Sequence, residues 1–570
     1  MPRRSRRVLV AIWCAFLVRG CFYSLVLPLW EGYDEWAHFA YIQHLASTGT
    51  MPTRSTPISQ ELCASLQLAP LSPFAGAAVA NSTAHDAFWR LPASERTRRE
   101  QLLRALPAGA SAVGCPLPPI LQYEAQQPPL YYVLLAPVYR VLQNEPLPVR
   151  VFALRLVSLS IASTIIFTVY RIGLLVLPGP GLALSAALVI AAAPGLFIDI
   201  CRVGNESLSI ALAGALLLGA LQVLRRPAHL IHWLLLGLLA GASVLTKSYA
   251  LAFLPLLPLT AILAFVRTRQ SGPRIALGLL LAVSITVVSA DWWYQHVWTT
   301  THTLSGEQMD MAGVPSTLHD RLAAARAVDW QMVLDLSAFT HIWTGGWSFL
   351  VARAWMYRFF EAAALLAVAG FALHLGRMVR ATAADRRLHL RTAGTILVLY
   401  LLLAMCAVQA YHSLAAFLAT GDSTAIGWYF YAVVAAEATA TAIGFHALFG
   451  RGWSVRAMTL LVALLATFDL YTMHGLLIPH YTGFLVQSPN GSLPAFHLQR
   501  LLDPDTLREI VLRLSYLRAL PPSCLAVLSP VYVLSTISLA VLAIRLSLRT
   551  RDPMPARLSP ESPPTQTRSE

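Results

Sequence analysis

Charge is what this 570-residue sequence has least of. Asp, Glu, Lys and Arg make up 12% of it, where an ordinary soluble domain carries about 25%. With 56% of its residues hydrophobic, the chain has too little polar surface to cover a water-soluble fold, so lipid must act as part of its solvent. Lysine is nearly missing: Lys247 stands alone beside 41 arginines, a bias that points to a GC-rich, bacterial genome. The seven cysteines contain no CxxC and no zinc spacing, which removes the redox-motif and zinc-ribbon readings. There is no P-loop, no strand–GxGxxG–helix and no HExxH, so the sequence offers no ATP site. No internal repeat stands out, which weighs against the transporter folds built from repeats. The net charge is +14, but no soluble basic domain carries it, and nucleic acid is not an expected partner.

What the sequence does have is apolar runs of about 20 residues, the length that takes a helix across a bilayer. Barrel strands would instead alternate over about 10 residues. The expected fold is therefore an all-α polytopic membrane bundle of about twelve spans. The first follows four arginines between Met1 and Arg7 and runs from Val8 to about Trp30. It lacks a convincing small-residue cleavage site and is read as uncleaved. Further spans start near Ala153, Leu182, Leu208, Leu230, Ala250, Ile275, Phe349, Thr392, Trp428, Met458 and Ala526. Alternate loops carry the arginines: Arg225–Arg226; Arg267, Arg269 and Arg274; Arg377 through Arg391; Arg451 and Arg456; and Arg545 onward. One count puts all of them in the cytoplasm with both termini. Three long segments then lie outside: 31–152, 298–348 and 476–524. The first is too long for a connector and contains stretches such as Trp36 to Leu45 that read as amphipathic interfacial helices. Cys63 and Cys115 both fall in it, to be paired or left as two thiols. The tail from Asp552 to Glu570, rich in Pro, Ser, Thr and Arg, reads as disordered. Asn81, Asn205 and Asn490 each open an N-x-Ser/Thr pattern.

Polar residues gather in four places, all on the expected external face. Tyr33-Asp34-Glu35-Trp36-Ala37-His38 puts two acids and a histidine just outside the first span. They read as a general base with a divalent metal nearby, or as a helix cap whose acids complement the dipole. Gln122 to Tyr132, holding Glu124, Gln127, Pro128-Pro129 and Tyr131, reads as a substrate loop or as an interfacial anchor. Asp199 to Ser207 interrupts an apolar hairpin. There Arg202 pairs with Asp199 or serves the site, and Glu206 could join Asp34 in holding a metal or a phosphate-bound metal. In Thr246-Lys247-Ser248 the lysine either snorkels or meets a phosphate as a point charge. Asp291 to Tyr294 and Trp428-Tyr429 read as aromatic belts. Glu437, inside a span, is a functional candidate or a helix-to-helix bond.

This ordered set resembles the GT-C superfamily of membrane glycosyltransferases, near the dolichyl-phosphate-mannose mannosyltransferase-like and aminoarabinose transferase-like branches. The matching elements are Asp34-Glu35 after the first span, Pro128 to Tyr132, Asn205-Glu206 and Thr246-Lys247. The resemblance covers about the first 300 residues. It implies a GT-C-like catalytic module over 1–300, including the external loop 31–152, then C-terminal helices over 301–551 and the tail 552–570. It also implies an inverting transfer of a hexosyl or pentosyl unit from a polyprenyl-phosphate sugar to an extracytoplasmic lipid, glycan or protein, in a bacterial inner membrane. Asp34 takes the place of the family's base, with Glu35 beside it. Glu206 and His38 would serve any metal ion, Lys247 and Arg202 the donor phosphate, and Glu124, Gln127 and Tyr131 the substrate loop. Gln127 departs from the family, whose aminoarabinose branch often has lysine before the Pro-Pro pair. No segment is long enough for the lumenal repeat domain of the protein-mannosylating branch. The competing readings are a transporter or flippase for a lipid-linked saccharide, which needs charges along a path through the midplane, and a membrane scaffold, which has no reason to gather Asp34, Glu206 and Lys247.

Overall fold

The computed structural model describes residues 3–549 apart from 77–78, 80–81, 116–117, 269–271, 305, 307–316, 386–387 and 489–491, and leaves the side chains of 3 and 382–385 undescribed. The tail expected from Asp552 lies outside the described residues, as do Asn81 and Asn490. Among those described there is no sheet. The only extended pairings are isolated bridges at Pro57–Leu121, Pro70–Thr83 and Gly345–Leu350. Backbone groups in lipid must find partners within their own segment, and helices do this.

Among the described residues, nine helices are long and apolar enough to cross a bilayer, or ten if the bent pair Pro180–Ala192 and Pro194–Ile200 counts as one span. That pair bends by 62° because Pro194 pushes Ala193 out of the helical region, to φ −67°, ψ 110°. The expectation of about twelve differs in two further places. Leu230–Val244 is a shorter apolar helix. The run Gly427–Tyr481 counts as one although the chain changes direction within it at Gly450, where φ is 73° and ψ −175°. Apolar side chains such as Val288 and Leu365 remain exposed on the outer surface, where lipid replaces water as their neighbour.

Small residues let these helices touch. A Cβ on Gly370 would stand 2.2 Å from the Gly444 carbonyl oxygen, and one on Gly444 would stand 2.1 Å from that of Ala367. Without a hydrophobic drive between helices in lipid, such backbone approach supplies the packing. The charge at the centre of the bundle is fully enclosed. Arg19 Nη2 lies 2.9 Å from Asp469 Oδ2, with neither side chain exposed. The hydroxyls of Tyr23 and Tyr532 each donate to Asp469 at 2.6 Å. Removing the acid strands a buried guanidinium. Asp469→Ala is expected to cost about 3–5 kcal/mol, read as a lowered unfolding midpoint in detergent; an unchanged midpoint contradicts this.

The segment between the first two spans folds on its own small core. The helix Glu35–Thr48 packs against Leu130–Val141, with Tyr41 stacked on Tyr132 at 3.8 Å. Eleven of the fourteen residues in Glu35–Thr48 are buried, so the stretch Trp36 to Leu45 is a core helix, not one lying on the membrane surface. Glu61 joins this core to the second span through its ion pair with Arg150, and Gln43 Nε2 donates to Glu61 at 2.6 Å. Cys63 and Cys115 form a disulfide across 52 residues of sequence. In the chain-entropy account a loop of that size is worth about 4 kcal/mol. Reduction, or Cys63→Ala with Cys115→Ala, is therefore expected to lower the thermal midpoint and expose the loop to protease; equal stability with and without reductant contradicts it.

Candidate active site

Arg155, on the second span, shapes the loop that carries Asp34. Its guanidinium donates to the carbonyls of Ser24 and Leu27 at 2.8 Å and of Pro28 at 2.7 Å. It also grips both oxygens of Glu35, at 2.7 and 2.5 Å. Glu35 accepts in addition from the backbone N–H groups of Trp30, at 3.2 Å, and Val203, at 2.9 Å. The chain between is drawn tight enough that Trp30 and Asp34 adopt left-handed backbones, with φ 67° and 52°. Asp tolerates that region better than most residues, and strain of this kind is held only where neighbours over-determine it. Glu35 is wholly enclosed and bonded on both oxygens, and it organises the loop that carries Asp34.

The stretch after the bent helix pair comes back to the same place. Arg202, 1% exposed, donates to the Tyr33 carbonyl at 2.5 Å and to Asp199 at 2.9 Å, and lies 2.7 Å from Glu206. Burial works against its charge, but Glu206 and Asp199 outweigh that and hold it more firmly protonated than usual. Lys247 donates to Asn205 Oδ1 at 2.9 Å and to Glu206. Asn205 in turn donates to Gln127 Oε1 at 3.1 Å and to the Thr246 carbonyl at 3.0 Å. The Tyr131 hydroxyl accepts from the Gly204 N–H at 2.9 Å. The Asp34, Pro128–Tyr132, Arg202–Glu206 and Lys247 segments therefore form one buried polar cluster. His38 Nδ1 bonds the Tyr132 hydroxyl at 2.8 Å, and burial drives this histidine's pKa well down, leaving it neutral.

Lys247 faces a cavity of about 600 Å³. Gln126, Gln127, Lys247, Tyr249 and Tyr429 form its polar end. Leu251, Ala252, Ala407, Val408 and Ala415 give it apolar walls, and Arg321 adds a second cation. An ammonium has three N–H groups, and the bonds to Asn205 and Glu206 use two, so a third remains for a ligand. Arg202 does not line the cavity; it lies behind Glu206 and acts on the cavity through Glu206 and Lys247. Glu124, 2% exposed, has its pKa pushed up to about 8, first by burial and then by the charge of Asp34, so these two carboxyls share one field.

The expected metal pair does not fit. Glu206 is taken up by Lys247 and Arg202, and His38 by Tyr132. Among the described residues no three His, Cys, Asp or Glu side chains form a group that could hold an ion. Sequence reasoning also passed over Arg155 and Arg150. Both are arginines inside or beside an apolar run, which is itself a signal, since charge there is costly without a partner. Glu437 pairs with His341 Nε2 at 2.8 Å, the helix-to-helix bond.

No protein-family model matches the chain, and neither does any curated protein. Among solved structures the chain is similar to ArnT from Cupriavidus metallidurans bound to undecaprenyl phosphate. The identity is 14%, over 95% of this chain and 75% of that one, with a TM-score of 0.43. It is also similar to the archaeal oligosaccharyltransferase AglB from Archaeoglobus fulgidus in complex with an inhibitory peptide and a dolichol-phosphate. There the identity is 13%, over 90% of this chain and 60% of that one, with a TM-score of 0.35. Likenesses this distant carry no functional argument.

Glu124 gives the site a pH signature. Its carboxyl titrates near 4.5 in an open chain and near 8 in the fold. Between those values the folded state binds more protons than the unfolded one, so stability falls as pH rises, by up to about 1.4 kcal/mol per pH unit. Glu124→Gln mimics the neutral acid and removes the slope. The melting-temperature difference between wild type and Glu124→Gln is expected to shift against the wild type from about pH 5 to about pH 8; a difference independent of pH contradicts the assignment.

Proposed function

We propose that this protein is a GT-C-type membrane glycosyltransferase. It moves a hexosyl or pentosyl unit from a polyprenyl-phosphate donor to an acceptor outside the cytoplasm, with inversion. The observation that carries this reading is Lys247 on a cavity lined largely by apolar side chains, held by Glu206 and Asn205 and linked through Arg202 to the Asp34 loop. A phosphate on a greasy tail needs that pairing of environments. The scaffold reading gives no reason for Glu206 and Lys247 to meet, or for Asp34 to lie within the electrostatic reach of Glu124.

In this reading the Asp34 carboxylate takes the proton of an acceptor hydroxyl. The acceptor oxygen bonds to the anomeric carbon as the bond from that carbon to the phosphate oxygen breaks, and the electron pair leaves with the polyprenyl phosphate. Lys247 stabilises the charge that grows on that phosphate in a desolvated site. Arg202, Glu206 and Asn205 fix the ammonium, and Arg155 with Glu35 fixes the base. No step runs through a metal ion. Residues 1–300 supply Asp34, Arg202, Glu206 and Lys247, and the later part of the chain closes the cavity with Arg321, Tyr429 and the Leu390–Thr420 helix. The chain crosses twelve times, counting Leu230–Val244 and both arms about Gly450, and keeps both termini in the cytoplasm of a bacterial inner membrane.

Purified protein is incubated with radiolabelled polyprenyl-phosphate sugars and crude membrane acceptors. Wild type transfers label. Asp34→Asn loses about 10²–10⁴-fold in turnover, and Lys247→Gln loses about tenfold or more in donor affinity, the worth of one charge-assisted hydrogen bond. Full transfer by a folded Asp34→Asn protein removes the base assignment, and no transfer by wild type across the sugars tested removes the reaction.

A further inference from the structure

A second cavity, of about 460 Å³, is lined by Ser72, Phe74, His85, Ser348, Phe349 and His480 among others, and shares no lining residue with the Lys247 cavity. Glu31 lies behind it. Glu31 Oε2 is 3.0 Å from His85 Nε2, and Oε1 accepts from the Ser348 N–H at 2.5 Å. The Glu31 carbonyl accepts from the Trp347 N–H at 2.9 Å. The bond to Glu31 puts a proton on Nε2 of His85.

Several polar atoms here are unmatched. Among the described residues, His85 Nδ1, both ring nitrogens of His480 and Ser348 Oγ have no hydrogen-bond partner, although His85 is 3% exposed and His480 and Ser348 are each 4% exposed. An unmade bond on a buried group costs about 1–3 kcal/mol, and native structures carry few of them. Three such side chains on one cavity mark a place prepared for a ligand. The chemistry they offer is hydrogen-bond donors and acceptors, with Asp86 also on the lining and no Lys or Arg there to hold a phosphate. The aromatic faces of Phe74 and Phe349, with centroids 4.8 Å apart, stand beside them, and Phe74 is 62% exposed. Hydrogen-bonding side chains beside open ring faces suit a saccharide, whose hydroxyls bond the first while its C–H faces lie on the second.

We infer that this cavity binds the saccharide part of the acceptor, through His85, His480 and Ser348 with Phe74 and Phe349 as its apolar wall. The inference rests on the glycosyltransferase reading for the word acceptor, and on the cavity for the word saccharide. The link to the reacting centre is covalent and short. Glu31 backs the cavity and Asp34 follows three residues later, at most about 10 Å of extended chain. Between them Tyr33 stacks on Trp428 at 3.9 Å and meets Trp347 edge-on at 5.4 Å, so the loop holds both sites in one rigid frame. In this arrangement the acceptor hydroxyl enters from the histidine cavity and the donor phosphate from the lysine cavity.

The full chain in lipid nanodiscs, free of sugar-headed detergent, is tested on an immobilised array of oligosaccharides and, separately, for binding of polyprenyl phosphate. Wild type is expected to retain a subset of the oligosaccharides. His480→Phe is expected to weaken that retention at least tenfold, as is Ser348→Ala, which deletes a single oxygen and so keeps the test valid if the larger change disturbs folding. Both variants keep polyprenyl-phosphate binding, while Lys247→Gln loses it and keeps the oligosaccharides. No oligosaccharide retained by wild type, or retention unchanged in both variants, overturns the inference. Histidine-dependent retention without any polyprenyl-phosphate binding by wild type supports this saccharide site and instead overturns the donor reading.

Discussion

Arg155 holds together the loop that follows the first span. A guanidinium at the edge of a bilayer must be satisfied, and this one is satisfied by three backbone carbonyls at the end of the first span and both oxygens of Glu35. That arrangement fixes where the first span stops, how the chain turns back and which acid comes next. A buried ion pair of this kind adds little net stability over an apolar pair, whereas losing one partner is severe. Its consequence is geometric: Asp34 is held within electrostatic reach of Glu124, in a backbone conformation it would rarely hold alone.

The cluster beneath divides its work by the shape of its cations. Arg202 spreads its planar fork over the Tyr33 carbonyl, Asp199 and Glu206. It behaves as arginines do at enclosed, multiply bonded positions. Lys247 is a compact charge with rotatable donors, anchored by Glu206 and Asn205 and still able to bond a ligand in the cavity. In a chain that uses arginine almost everywhere else, a lysine at this one point is consistent with a need for a small charge able to approach a phosphate closely. Gln127, in the place where the aminoarabinose branch often carries lysine, is bonded to Asn205 and so helps to orient the partner of Lys247. Arg321 also lines the cavity.

Much of this was legible in the sequence because charge is so scarce in it. A polar island between apolar runs has few explanations, and Asp34, Arg202, Glu206 and Lys247 stood out for that reason. Arg155 and Arg150 were equally visible as charges against an apolar background. Their partners, Glu35 and Glu61, lie 120 and 89 residues away, a pairing that no local pattern reveals. The helix Glu35–Thr48 reads as amphipathic because it contains polar residues, yet those residues face buried partners: His38 meets Tyr132, and Gln43 meets Glu61. The reversal at Gly450 rests on one backbone angle within a long apolar stretch, which hydropathy averages away. The cavity at His85 and His480 was out of reach, since it joins side chains nearly 400 residues apart in sequence.

The central claim is that one loop, fixed by Arg155, presents a base to a phosphate held by Lys247. A cryo-electron microscopy map of the full chain with polyprenyl phosphate in a nanodisc tests it most directly. The account predicts phosphate density within hydrogen-bond distance of Lys247 Nζ, the tail along the Leu390–Thr420 helix, and Arg155 still gripping both oxygens of Glu35. Phosphate density elsewhere, or a Lys247 ammonium turned away from Glu206 and out of the cavity, would contradict it.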